Sequence, residues 1–266
     1  MSLPPENEDI TPEPEFSEPD IVVPMGQSQK VFKLVVPKFT PYATYCLIGL
    51  TVLIFLLQGW SMAAEGQAWP VEFGVKDNAL INAGQYWRLI TPVLLHVDVM
   101  HLAFSMYALF ALGREMEFRF GHLRFALIYL LGAFTGITAA YLFSTDLAVG
   151  ASGGTFALLL AFAEFTFRDQ KVLGYTTAAI LRITVQVALI NIFLGLAVPG
   201  IGNWVHIGGA LSGAMLSFFG GPQLALVEKG DELHYVDQRP KHHFYIAAAV
   251  QVVVLLTAAI LLDGPV

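Results

Sequence analysis

From residue 42 onward, long apolar runs alternate with short polar segments, the pattern of a chain that crosses a bilayer several times. Runs over 42–60, 99–113, 125–143, 150–167, 176–198, 204–220 and 244–262 read as seven helical spans. Residues 61–97 mix polar and apolar positions too unevenly for a span and read as a long connection, while 114–124, 168–175 and 221–243 are polar. The second, fourth and sixth runs are the short ones, below the roughly 20 residues a crossing needs. Short helices among longer ones begin beneath the membrane surface and leave a water-filled dent lined by their first turns. Irregular backbone at that depth requires such water or a protein surround.

Composition agrees: 56% of the 266 residues are hydrophobic and 13% are charged, which excludes an ordinary soluble domain. The net charge of −7 owes much to an acidic, proline-rich stretch over 1–29 that lacks Lys and Arg and reads as a disordered tail. With the basic collar at Lys30, Lys33 and Lys38 it makes up a first region, 1–38. A six-helix core over 39–221, a linker over 222–243 and a seventh helix over 244–266 complete the expected organisation. Eleven of the fourteen Lys and Arg fall in the N-terminal segment, 114–124, 168–175 and 221–243. The positive-inside rule then puts the N-terminus in the cytosol and the C-terminus outside, with spans two, four and six beginning at the outer face. Cys46 is the only cysteine, so no intrachain disulfide and no cysteine metal site is expected. His122, His242 and His243 lack metal-ligand spacing and read as solvated flanks. No cofactor and no nucleic acid is expected; the lipid bilayer is the one partner that composition imposes.

The candidate chemistry lies at the outer ends of the short spans. Ser152 stands between Gly150 and Gly153 at the start of the fourth, where free N–H groups suit a developing oxyanion. Taken alone, Gly-Ala-Ser-Gly reads first as a packing face for membrane helices. His101 and His206 fall at the same depth on the second and sixth spans, and polar groups at that depth point to function. Gly209 and Gly213 follow His206 at i+3 and i+7, so the sixth span can approach the fourth closely enough for a Ser–His contact. Phe156, one turn after Ser152, is placed to stack on the His206 ring and orient it without an Asp. Among the remaining polar positions, Glu164 and Arg182 read as pairing or snorkelling residues, Asp98 as a rim residue, and Asn191 as a hydrogen-bonding group on the fifth span. Trp87 and Arg88 read as interface anchors of the first loop.

These residues together resemble the rhomboid family of intramembrane serine proteases. Gly150-Ala151-Ser152-Gly153 is similar to its nucleophile motif and His206-x-x-Gly209-x-x-x-Gly213 to its histidine motif. Trp87-Arg88, His96 with His101, and Glu117-x-Arg119-x-Gly121 match further family stretches. The resemblance covers 42–220. It implies an all-α membrane fold, a six-helix core plus one extra C-terminal helix, with a Ser152–His206 dyad in a water-accessible outer cavity. It also implies cleavage of single-span membrane proteins near the outer face of, by expectation, a bacterial plasma membrane. His101 and the residue four positions later are then the oxyanion donors. The family Asn at that later position is Ser105 here. A non-catalytic relative that binds membrane helices without cutting them is the alternative. A transporter is disfavoured because the lower halves of the spans are largely apolar.

Overall fold

The computed structural model describes residues 20–23, 30–35, 38–173, 182, 184–189, 193 and 202–266. The expected fifth span over 176–198, Asn191 included, lies outside the described residues apart from 182, 184–189 and 193. The chain divides into two units, one made of 1–38 with 225–236 and the other of 39–224 with 237–266.

In the first unit, strands β1 (Asp20–Val23) and β2 (Lys30–Val35) pair antiparallel, and β3 (Leu224–Lys229) and β4 (Glu232–Asp237) complete a sheet of order β1-β2-β4-β3. β2 runs parallel to β4, with Leu34 opposite Leu233. The stretch read as a linker is thus a hairpin, turned at Gly230, whose positive φ of 68° suits a residue without a side chain. Asp-Ile-Val-Val inside the acidic, proline-rich stretch pairs with β2, and β2 in turn pairs with residues some two hundred positions away, which local composition does not announce.

The second unit is helical. Its elements are α1 (Tyr42–Glu65), α2 (Trp69–Gly74), α3 (Asn78–Asn82), α4 (Val99–Phe120), α5 (His122–Phe143), α6 (Ser152–Arg168), α7 (Gln170–Leu173), α8 (Asn203–Gly220) and α9 (His242–Leu261). Two short 3-10 turns, Tyr86–Leu89 and Thr91–Leu94, fill out the first loop. Helix α5 is the hub: Phe125, Ile128, Tyr129, Ile137 and Tyr141 are buried against α6, α8 and α4. Helices α1 and α9 instead turn Leu53, Leu56, Trp60, Val250, Val253 and Ile260 outward. Apolar faces this large on α1 and α9 fit lipid contact, and α1, α5 and α9 are each long and apolar enough to cross a membrane.

The second run is longer than its apolar stretch implied. Helix α4 continues through Arg114, Glu115 and Arg119 to Phe120, and Gly121 alone separates it from α5. Charge disguised the continuation: Arg119 pairs with Glu115 one turn back, and Glu117 is wholly buried for another reason. Its carboxylate accepts from the Ala43 and Thr44 N–H groups, both at 2.8 Å, and from Thr44 Oγ1 at 2.6 Å. It therefore caps α1, whose own N-cap, Pro41, offers no side-chain acceptor. His122, a solvated flank as its exposure shows, also pairs with the same carboxylate and stacks on Phe39. Glu117→Ala is expected to lower stability by about 3 kcal/mol, because two helix N–H groups and one hydroxyl lose their acceptor together. Thermal unfolding in detergent micelles measures it, and an unchanged midpoint would contradict the capping role.

Two polar clusters close the ends of the bundle. At the end opposite Ser152, Arg168 bonds Glu164 at 2.7 Å and the Ser217 and Pro222 carbonyls, while Asp169 accepts from Leu224 N–H. Glu164 thus finds its partner on its own helix. Arg124 pairs with Asp237 at 2.7 Å. Burial pushes the Asp237 carboxyl up, but N–H bonds from Gln223, Arg124 and Arg239 outweigh it and hold the carboxyl below its usual range. At the Ser152 end, the residues after α9 dock on the first loop. Asn82 accepts from Gly264 N–H and donates to its carbonyl, Tyr141 donates to Leu262, and Asn78 donates to Pro265.

Candidate active site

Ser152 is the first residue of α6 and His206 the fourth of α8, and the two helices pack backbone to backbone beneath them. A methyl group on Gly209 would overlap the Gly153 carbonyl and lie 2.8 Å from its carbon; one on Gly213 would overlap the Ala157 carbonyl and lie 2.5 Å from its carbon. The absence of side chains at these two positions sets the interhelical spacing. His206 is buried, and its ring stacks on Phe156 at 4.3 Å with the planes 6° apart. That is the orienting contact expected from the i+4 spacing of Phe156 after Ser152. No hydrogen bond joins Ser152 to His206 among the described residues, and the His206 Nδ1 is buried without a partner. Stacking, not a carboxylate, holds the ring.

The loop before α6 presses on His101. Gly150 adopts a φ of +119°, which side chains rarely tolerate. A methyl group there would lie 2.8 Å from His101 Cε1 and 2.9 Å from Nε2. Gly150 N–H donates to the Pro92 carbonyl at 2.8 Å, which fastens the loop to the first loop. The His101 ring edge thus faces the backbone two residues ahead of Ser152. His96 supports it from behind, with ring centroids 4.8 Å apart, and Gln58 grips the His96 backbone with an amide that both donates and accepts. Asp98, read as a rim residue, caps α4 by accepting from His101 N–H at 2.8 Å.

The structure therefore brings Ser152, His206, Phe156, Gly150, Gly153 and His101 to one end of three helices, with Gly209 and then Gly213 lower on α8 where it packs on α6. Ser105 lies one turn beyond His101 on α4, half-buried, and among the described residues its hydroxyl makes no hydrogen bond. Trp87 and Arg88 do not reach this site. Arg88 is buried and donates to Gln85 Oε1 and to the Val75 and Glu72 carbonyls, while Trp87 stacks on Phe73. They hold the first loop together. Sequence reasoning passed over His96 as a ring support and Gln58 as its clamp; a lone Gln inside an apolar run was the available signal. Among the described residues no His, Cys, Asp and Glu cluster could hold a metal.

Comparison with known proteins gives this arrangement a lineage. The Rhomboid domain family matches residues 83–223, just over half of the chain. Rhomboid protease GluP of Bacillus subtilis is 34% identical over 210 residues, 79% of this chain and 40% of that protein. RHOMBOID-like protein 9, chloroplastic, of Arabidopsis thaliana is 33% identical over 166 residues, 61% of this chain and 38% of its own length. RHOMBOID-like protein 4 of the same plant is 34% identical over 146 residues, 54% and 36% of the two chains. The chain spans about 40% or less of these relatives' lengths. The matched region contains the Trp87-Arg88 pair, His96, His101, Ser152 and His206, and the chain belongs to the rhomboid family.

Proposed function

We propose that this chain is an intramembrane serine endopeptidase that cleaves single-span membrane proteins near the outer face of the bilayer. The observation that carries the reading is the seat of His206: stacked on Phe156 and drawn against α6 by the glycine contacts at Gly153–Gly209 and Ala157–Gly213. In this mechanism His206 takes the proton of Ser152 Oγ, the oxygen attacks the scissile carbonyl, and the leaving amine receives the proton. Cavity water, activated by the same imidazole, then hydrolyses the acyl-enzyme. The Ser152 N–H and the His101 ring stabilise the oxyanion, with Ser105 acting through a water. No cofactor enters the scheme. The surrounding frame is a six-helix core over 39–221 plus the seventh helix, in a bacterial plasma membrane, with the N-terminus cytosolic and the segment after α9 outside. Docking of Leu262–Pro265 at the Ser152 end supports that last placement.

A non-catalytic binder of membrane helices is the competing reading, favoured by the missing Ser152–His206 hydrogen bond. Catalytic hydrogen bonds in ligand-free enzymes are often long and tighten only with substrate. Reconstitution with a single-span reporter in liposomes separates the two: the protease reading expects a discrete product, and a reporter held intact supports the binder.

The oxyanion assignment has its own test. His101→Ala is expected to lower turnover about 10²–10³-fold, as loss of a direct donor does. Ser105→Ala should cost less than about tenfold, because a short hydroxyl one turn away reaches the oxyanion only through water. Turnover on one reporter measures both, and equal losses would make Ser105 a direct donor.

A further inference from the structure

Lys76 stands between α2 and α3, and its side chain is wholly shielded from solvent. A lysine in a loop ordinarily keeps its ammonium in water, since desolvating a charge is strongly unfavourable. Here Nζ donates to the Ser144 and Asp146 carbonyls, both at 2.8 Å. The Lys76 backbone also bridges Ala148 in antiparallel fashion, N–H to carbonyl at 3.1 Å and the return bond at 3.4 Å. All four bonds fall on the segment that leads through Gly150 to Ser152. Asn78 adds a fifth, to the Ser144 carbonyl at 2.9 Å. With Gly150 fixed by Pro92, the nucleophile loop has few anchors outside the first loop.

We propose that Lys76 is a positioning residue for Ser152: its ammonium straps the 144–148 segment to the first loop and so fixes where the nucleophile stands. The inference rests on the reading of Ser152 as nucleophile. It explains why a charge is kept in a buried place: a single ammonium on a long arm supplies donors to two carbonyls from one point.

The ionisable groups facing Lys76 are Asp77 beside it and Asp146 on the strapped loop. Burial outweighs both carboxylates and pushes the lysine down from 10.5 to about 8. Folding therefore releases this proton between about pH 8 and 10.5, so the group's contribution to stability rises with pH across that window. The strap holds more firmly across the same window, because any local opening that returns Lys76 to water must take the proton up again. Reactivity of Ser152 and protection of the strapped loop are thus expected to rise together, which a lysine without a positioning role would not cause.

The experiment compares wild type, Lys76→Met and Ser152→Ala in proteoliposomes from pH 7 to 9.5. It measures labelling of Ser152 by a fluorophosphonate and amide hydrogen exchange at Ala148 and Gly150, corrected for intrinsic rates. Wild-type labelling should rise as pH rises through about 8 and corrected exchange at both amides should slow. Lys76→Met should label about tenfold more slowly at pH 7, exchange faster there, and show neither alkaline change. Wild-type labelling and exchange in the variant, or the same alkaline rise, would overturn the proposal. Should the variant not fold, wild-type exchange that stays constant from pH 7 to 9.5 overturns it alone. Labelling that persists in Ser152→Ala sinks the nucleophile reading instead, and the exchange data still decide the role of Lys76.

Discussion

Ser152→Ala and His206→Ala are each expected to reduce cleavage of a reconstituted single-span reporter by about 10⁴-fold or more, to background. Nucleophile and base act in one step, so the double variant should be no worse than either single one; additive losses would mean they do not act together. The two should differ in stability. Ser152 is half-buried at a helix start and its hydroxyl makes no hydrogen bond among the described residues, so its loss is close to neutral. His206 fills a buried slot against Phe156, and its truncation leaves a cavity worth about 2 kcal/mol. Reporter turnover and thermal unfolding of the same preparations check both halves.

Gly209→Ala and Gly213→Ala are expected to disable the protein with one methyl group each. Helix propensity alone argues the opposite, since Ala is favoured over Gly by about 1 kcal/mol in a helix interior. The added carbon would, however, overlap a backbone carbonyl of α6, at Gly153 or Ala157, and backbone cannot swing aside as a side chain can. The helices must part by about 1 Å, and overpacking of this kind costs about 3 kcal/mol or more, so the clash wins. Gly209 lies one turn from His206 and faces the residue after Ser152. The same displacement therefore separates base from nucleophile and should lower turnover about 10²-fold. Wild-type turnover with a raised unfolding midpoint would show that propensity governs and that the helices can yield.

Much of this was legible in the sequence because a bilayer leaves few explanations for polar residues. Ser152, His101 and His206 stood out against apolar runs, and the spacing of Phe156, Gly209 and Gly213 announced the stacking partner and the close face. What stayed hidden depends on contacts between distant positions. Glu117 caps a helix through Ala43, 74 residues earlier, and its charge made the end of α4 look like a loop. Lys76 and Arg88 are ordinary loop cations until the carbonyls they hold are seen. The hairpin at 224–237 alternates too weakly to betray strands, and its pairing with β2 is remote in sequence.

The central claim is that Ser152 is a nucleophile activated by His206, and covalent labelling tests it most directly. Purified wild-type protein, Ser152→Ala and His206→Ala are exposed to a fluorophosphonate probe in detergent, and the modified residue is located by peptide mass spectrometry. The account predicts one labelled site, Ser152, in the wild type, none in Ser152→Ala, and a rate about 10³-fold lower in His206→Ala. Labelling at another residue, or at an undiminished rate without His206, would contradict it.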